Sequence, residues 1–304
     1  MKQLFKIGVY GFFVITSITS CGSNKVSSND ANSSIINSNI KQELFVWVEN
    51  ARIRKEPDLN AEVITEIKGG EKLMLIGDSS SSKSKINLRG VEFEDIWVKV
   101  KTSDGKEGWI FKGMLTDDAE KALSMNDFLI SPEKSVGKVK IGDKKEDVEN
   151  IFGKNFVQEG EIYGPEGATA KGFYLFKDSP LELQCVTDER TGSINIILIR
   201  QPSSNWITSD GIKVGMKLDD LAKLNGKPIT FSGFGWDFGG NIMSFNSGKL
   251  SVYDAGMSLE LGEPDNLDGL DEFMGDVECS TSNKKILGKG VKVVEISIFG
   301  GPAI

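Results

Sequence analysis

The sequence predicts a mainly β protein with an α+β second half. A small, strongly bent β-barrel should come first, followed by a tandem helix-plus-antiparallel-sheet domain. Three observations predict this. Short strand-like runs separated by turn residues recur through residues 44–116. The pattern at 138–156 returns 73 positions later, at 211–229. Thirty-four glycines against only eight prolines supply many tight turns between strands.

The first element is not part of that fold. Lys2 and Lys6 precede an apolar run from Ile7 to Ile18. This is too short to span a bilayer as a helix, which takes about 20 residues. A basic start, a short apolar middle and small residues at the end read as a secretory signal over residues 1–20. The ending Ile18-Thr19-Ser20-Cys21 resembles the bacterial lipobox, with Ile18 where leucine is usual. That resemblance implies cleavage before Cys21, acylation of its sulfur and attachment to a membrane on the periplasmic or exterior side. Ordinary signal cleavage, leaving Cys21 a free thiol, is the alternative. Residues 21–43 are rich in serine and asparagine and carry no aromatic residue. Such a stretch buries too little apolar area to offset its ordering entropy. It reads as a tether with a mean reach on the order of 25 Å.

Composition then excludes whole classes of function. The chain has 304 residues, 36 basic and 44 acidic, for a net charge of −8. An acidic surface repels phosphate backbones, so nucleic acid is not an expected partner. There is no histidine at all. Ser-His-Asp and Cys-His catalysis and His-ligated catalytic zinc are therefore absent. The S-x-x-K pattern recurs along the chain, at 82–85, 131–134 and 282–285 among others, without a K-T-G partner, which is the signature of chance. No acidic pair stands out as a glycosidase-like couple. The expected reading is no catalytic residue, no metal and no cofactor.

Residues 44–116 carry the barrel. The runs LFVWV, EVITEI and KLMLIGD are strand-like, and Asp104-Gly105 marks a hairpin because it favours positive φ. In the strand from Trp97 to Lys101, side chains alternate between two faces. Trp47 should point away from its neighbours Val46 and Val48. The stretches ARIRKEPDLNAEVITEIKGGEKLMLIG and WVKVKTSDGKEGWIFKGML together resemble the bacterial SH3-like (SH3b) family. They hold an aliphatic-x-Arg stretch, a polar loop with proline, a Val-Ile strand, a Gly-Glu turn and a Trp-x-x-Val strand with Asp-Gly and Gly-Trp, in that order. The departure is SSSSKSKINLRGVEFED (79–95), a loop longer than the family usually has. The resemblance implies binding of cell-wall peptides or a targeting role beside wall-cleaving enzymes. Trp97 and Trp109 either line a ligand groove or close the barrel core, and Trp47 is the more open of the three.

Residues 117–135 read as a connector helix, with Thr116 as N-cap, Ala119, Ala122 and Leu123 as its apolar face, and SPEKS as its end. The α+β repeats follow at 136–204 and 205–304. In each, an extended piece ends at a glycine (Gly142, Gly215) and a helix follows. Val148 and Ile151, like Leu218, Leu221 and Leu224, form an apolar stripe. Asp143 with Glu146 suggests a capping box, and Gly153 and Gly226 suggest left-handed C-caps. Antiparallel strands come next. In the last of them Lys292, Val294, Ile296 and Ile298 should share the core face. The short motif GMKLDDLAKLNGKP resembles the unit of the small outer-membrane assembly lipoproteins and of β-lactamase inhibitory protein, which implies a protein-binding role.

ITFSGFGWDFGG (229–240) alternates Phe231, Phe234, Trp236 and Phe238 with glycines. It reads either as an interface anchor or as a bent strand filling the core. Cys185 and Cys279 are either a disulfide pair or two free thiols, since sequence shows no distance. The acidic stretch 263–276 fails the EF-hand spacing and reads as a solvated loop. The expected function is a lipid-anchored, non-catalytic binding protein of the cell envelope. It would recognise a cell-wall peptide or an envelope protein through the SH3-like part. A protein inhibitor or envelope-assembly factor working through the repeats is the second reading. Candidate ligand-binding residues are Trp47, Trp97, Trp109, Phe231, Phe234, Trp236 and Phe238.

Overall fold

The computed structural model describes residues 42–236 and 238–300. The signal stretch, Cys21 and the tether up to residue 41 lie outside the described residues. Seven strands come first: β1 (Glu43–Val46), β2 (Asn50–Arg54), β3 (Val63–Lys68), β4 (Lys72–Leu88), β5 (Val91–Lys101), β6 (Glu107–Phe111) and β7 (Leu115–Thr116). They form one antiparallel sheet in the order β3-β2-β6-β5-β4-β1-β7, curled into a half-barrel. Its concave side buries Val46, Ile53, Leu73, Val100 and Ile110. Burying a side chain of this size contributes about 2 kcal/mol each. Gly105, at a φ of 89°, makes the β5–β6 turn, as the Asp-Gly pair predicts.

The stretch 79–95 is not a loop. It extends β4 and β5 into a long two-stranded arm that turns at Arg89-Gly90, both with positive φ (54° and 86°). That is the two-residue geometry that suits a twisted hairpin. Register breaks at Leu75/Ser79 and Ser79/Lys83 bend the arm. The Ser84 hydroxyl accepts the Trp97 indole N–H at 2.8 Å, and Ser80 Oγ accepts the Trp97 backbone N–H at 2.9 Å. The serines, which look like loop residues in sequence, satisfy a buried tryptophan.

The second part opens with helix α1 (Ala119–Met125), shorter than the predicted connector. Its cap is Asp118, which accepts the Lys121 N–H at 2.9 Å, while Thr116 braces Asp118 from outside the helix. Strand β8 (Leu129–Ser131) occupies the second half of the stretch expected to be connector, β9 (Ser135–Val136) and β10 (Val139–Lys140) follow at the start of the expected first repeat, and SPEKS is the β8–β9 turn. Helix α2 (Lys145–Phe152) precedes β11 (Val157–Tyr163), β12 (Thr169–Leu175), β13 (Leu183–Thr187) and β14 (Ile194–Ile199). After β15 (Ile207–Thr208), which pairs in parallel with β8, comes helix α3 (Leu218–Asn225). Strands β16 (Thr230–Ser232), β17 (Ile242–Ser244), β18 (Met257–Leu261), β19 (Glu278–Ser280) and β20 (Val293–Phe299) complete the chain.

The 73-residue offset holds in three dimensions for the helices: Lys145 and Leu218 start them, and Phe152 and Asn225 end them. Just before each helix, a glycine N–H binds a strand carbonyl, Gly142 to Ile194 and Gly215 to Val293, both at 2.8 Å. The strands do not form two separate sheets. β18 and β20 join the first four in a single sheet, β11-β12-β13-β14-β20-β18, while β17-β16-β19 form a small one.

Capping departs from the sequence reading. Asp147, not Glu146, accepts the Lys144 N–H, at 2.9 Å, because the helix begins one residue later than expected. Gly226 is left-handed (φ 73°, ψ −1°), but Gly153 (φ 102°, ψ 142°) is extended on the positive side, since the chain turns at once into a short 3-10 turn at Lys154–Phe156. In β20 a bulge opposite Glu260/Leu261 breaks the alternation. Val291 and Val293 are buried before it and Ile296 and Ile298 after it, while Lys292 is exposed and Val294 half-buried.

Candidate functional site

The arm joins the two parts. Arg89 at its tip is 7% exposed and lies over two rings, 5.4 Å from the Trp47 centroid and 5.0 Å from that of Phe176. Its Nη2 donates to the Trp47 carbonyl at 3.1 Å, and Nε faces Glu49 at 3.4 Å. Nη1 is buried with no acceptor. Burial pulls this guanidinium below its ordinary range and Glu49 works the other way; an arginine stays cationic through such a shift. Around it, Phe156 stands edge-on to Trp47 and to Phe176 (5.6 and 5.2 Å) and stacks on Phe93 at 6.0 Å. Gly90 lies so close to the Lys177 carbonyl that a Cβ would sit 2.2 Å from it.

Beside this clasp runs a groove of about 640 Å³. Its floor takes Leu44, Leu75, Phe93 and Leu115 from the half-barrel, Met125 from α1 and Phe156 from the turn after α2. Lys112, Lys121, Asp95 and Asp117 stand around it. None of these four forms an ion pair among the described residues. The groove therefore offers apolar contact and unpaired charges of both signs. Its volume falls in the range of small-ligand sites.

The sequence-selected residues divide sharply. Trp47 reaches the groove, but it is 6% exposed and its indole N–H is already bound to the Gly113 carbonyl at 2.8 Å. It does not face away from Val46 and Val48 into solvent; all three are buried, because the arm and Phe156 cover its ring. Trp97 is core, packed edge-on against Phe111 at 6.0 Å. Trp109 is half-buried on β6, opposite Arg54 and Lys99. Phe231 and Phe234 are 0% and 1% exposed and pack on each other, with Phe273 stacked on Phe231, so they are core rather than interface. Trp236 and Phe238 are exposed at 38% and 45%. Cys185 and Cys279 are free buried thiols on strands of different sheets. Burial raises both, with nearby acids adding to the effect, so neither is a reactive thiolate.

The sequence reading missed Arg89, Phe93, Phe156 and Phe176. The one signal available was the unusual length of 79–95, an insertion that demands something to pack against. Among the described residues no cluster of acids and cysteines is placed to hold a metal ion. No described helix is long and apolar enough to cross a membrane.

Residues 49–116 match the bacterial SH3 domain family. The match spans the half-barrel from β2 to β7, including the arm. It indicates a binding role, commonly toward cell-wall components, and bacterial SH3 domains typically bind peptidoglycan. Comparison with curated proteins finds no match.

Proposed function

We propose that this chain is a lipid-anchored, extracytoplasmic binding protein whose SH3-like half-barrel recognises a cell-wall peptide in the groove beside the arm. The observation that carries the reading is the coincidence of the bacterial SH3 match with a groove that has an apolar floor and free charges of both signs. A wall peptide carries amine and carboxylate groups on a short, partly apolar backbone. Lys112 and Lys121 suit its carboxylates; Asp95 and Asp117 suit its amine. The absence of histidine supports binding without turnover. Ile18-Thr19-Ser20-Cys21 supports the anchor, with the polar stretch after it holding the folded part off the lipid. In this reading the second half, with its two helices 73 residues apart, is a pair of α+β units sharing one sheet, and it fixes the groove's far wall.

The test is co-sedimentation of the full chain, in detergent, with purified insoluble peptidoglycan. Charge reversal at two exposed rim residues, Lys112→Glu with Lys121→Glu, should weaken sedimentation about tenfold, as expected when close charge pairs are lost. No soluble fragments should appear during the incubation. Equal sedimentation by wild type and variant sinks the groove assignment, and steady release of fragments sinks the non-catalytic one. Mass spectrometry of the mature N-terminus checks for acylated Cys21.

A further inference from the structure

A second surface lies on the small sheet, on residues the groove does not use. At the β16–β17 turn, Trp236 and Phe238 meet edge-on with centroids 5.5 Å apart. Met243 on β17 and Val277 just before β19 line the same hollow of about 450 Å³ and are 59% and 42% exposed. Four large apolar side chains left open side by side mark a contact surface rather than scattered exposure.

The polar groups around them are one-sided. The Trp236 indole N–H donates to the Gly233 carbonyl at 2.8 Å. The Asn241 amide N–H and the Ser232 hydroxyl both donate to the Phe238 carbonyl, at 3.1 and 2.6 Å. One Asn241 N–H apart, the side-chain donors lining the hollow are thus spent. What remains toward a partner is the π faces and the carboxylates of Asp276 and Glu278, both exposed and without an ion pair among the described residues. From 263 to 278 the chain carries seven acidic residues and no basic one. An occupant must therefore supply hydrogen-bond donors and positive charge together with apolar contact. Aromatic faces beside carboxylates attract such a cation twice over.

β19 adds the backbone chemistry. It is the edge strand of the small sheet and, among the described residues, pairs only with β16. An extended polypeptide can pair with such an edge, whereas a small amine cannot use it. An anionic membrane would be repelled by the acids.

We propose that the hollow formed by Trp236, Phe238, Met243 and Val277 docks a basic, extended segment of another polypeptide, its lysine or arginine heads on Asp276 and Glu278. This goes beyond the groove reading and uses none of its residues.

The experiment is fluorescence anisotropy of the full chain in detergent with labelled hexapeptides that combine lysine with apolar residues. Peptides with glutamate in place of lysine, and free lysine, serve as comparisons. The lysine peptides should bind more tightly than both, and less so at high salt. Phe238→Ala and Trp236→Ala should each weaken binding about tenfold or more. Asp276→Lys with Glu278→Lys, two exposed changes that leave packing alone, should abolish the preference for lysine over glutamate peptides. Equal binding of both peptide types, no binding, binding of free lysine as tight as of peptide, or binding indifferent to Phe238→Ala and to the charge reversal overturns the proposal. Peptidoglycan sedimentation is read separately, so loss of one result leaves the other standing.

Discussion

At the junction between half-barrel and six-stranded sheet, Trp47, Phe93, Phe156, Phe176 and Phe152 touch one another in a continuous series, with Arg89 laid between two of the rings. At the β16–β17 turn, Trp236 and Phe238 touch only as a pair and face solvent. Of the first cluster the sequence reading singles out Trp47 alone, and of the second it singles out both rings. What differs is the surroundings. The first cluster is covered by a hairpin arm that brings its own cation. The second sits on the connection between β16 and β17 with acids beside it and nothing described above it. Aromatic residues become glue where the same chain supplies a cover, and a docking surface where it leaves the cover to a partner.

The largest test of that contrast is Phe156→Ala. Phe156 contacts Trp47, Phe93 and Phe176 and is 7% exposed. Its truncation should cost about 4 kcal/mol in urea unfolding, because a large cavity opens where the two parts meet. The groove beside the clasp should open with it, so on the proposed reading peptidoglycan sedimentation should fall too.

Next comes Arg89→Ala, expected to cost about 2 kcal/mol, below the roughly 3–5 kcal/mol of breaking a fully buried charge pair, since Glu49 keeps some access to water. Arg89→Met should recover most of that loss. It keeps the contact with both rings and removes a cation whose Nη1 has no acceptor. If the methionine variant is as unstable as the alanine one, the cation rather than the packing carries the clasp.

Trp236→Ala sharpens the other side. The ring is partly exposed, so stability should change by no more than about 1 kcal/mol, even with its indole bond to Gly233 lost. A loss as large as that for Phe156 would move Trp236 from surface to core.

The smallest effect is electrostatic. Glu260 on β18 is held above the ordinary carboxylate range by burial first and by Glu295 second, with Arg200 opposing. A raised carboxylate favours its protonated form in the fold. The penalty is therefore present above the folded value and gone below the unfolded one, near pH 4. Glu260→Gln should raise stability at about pH 7 and leave it unchanged below about pH 4, read from thermal unfolding at both.

How much of this was legible beforehand follows from range. The strand runs of the half-barrel, the Asp104-Gly105 turn and both helices of the 73-residue pattern were readable, because turn chemistry and apolar spacing act within a few residues. The bulge in β20 was not; it depends on pairing with β18, more than 30 residues away. The arm was misread as a loop because serines are poor strand formers, and only burial of the Trp97 indole shows what Ser84 is for. Trp236 and Phe238 were selected along with Phe231 and Phe234. Period-two alternation cannot tell which pair faces the core when a turn of glycines intervenes. Arg89 carried no local signal at all, since its partners Trp47 and Phe176 lie 42 and 87 positions away.

The most direct measurement is a titration of the isotope-labelled full chain in detergent with a soluble wall peptide, following the five tryptophan indole N–H signals. Trp47, at the groove and bound to Gly113, should shift in proportion to occupancy while Trp236 stays still. A shift of Trp236 with Trp47 unmoved, or movement of neither at saturating peptide, would contradict the assignment of the wall ligand to the half-barrel groove.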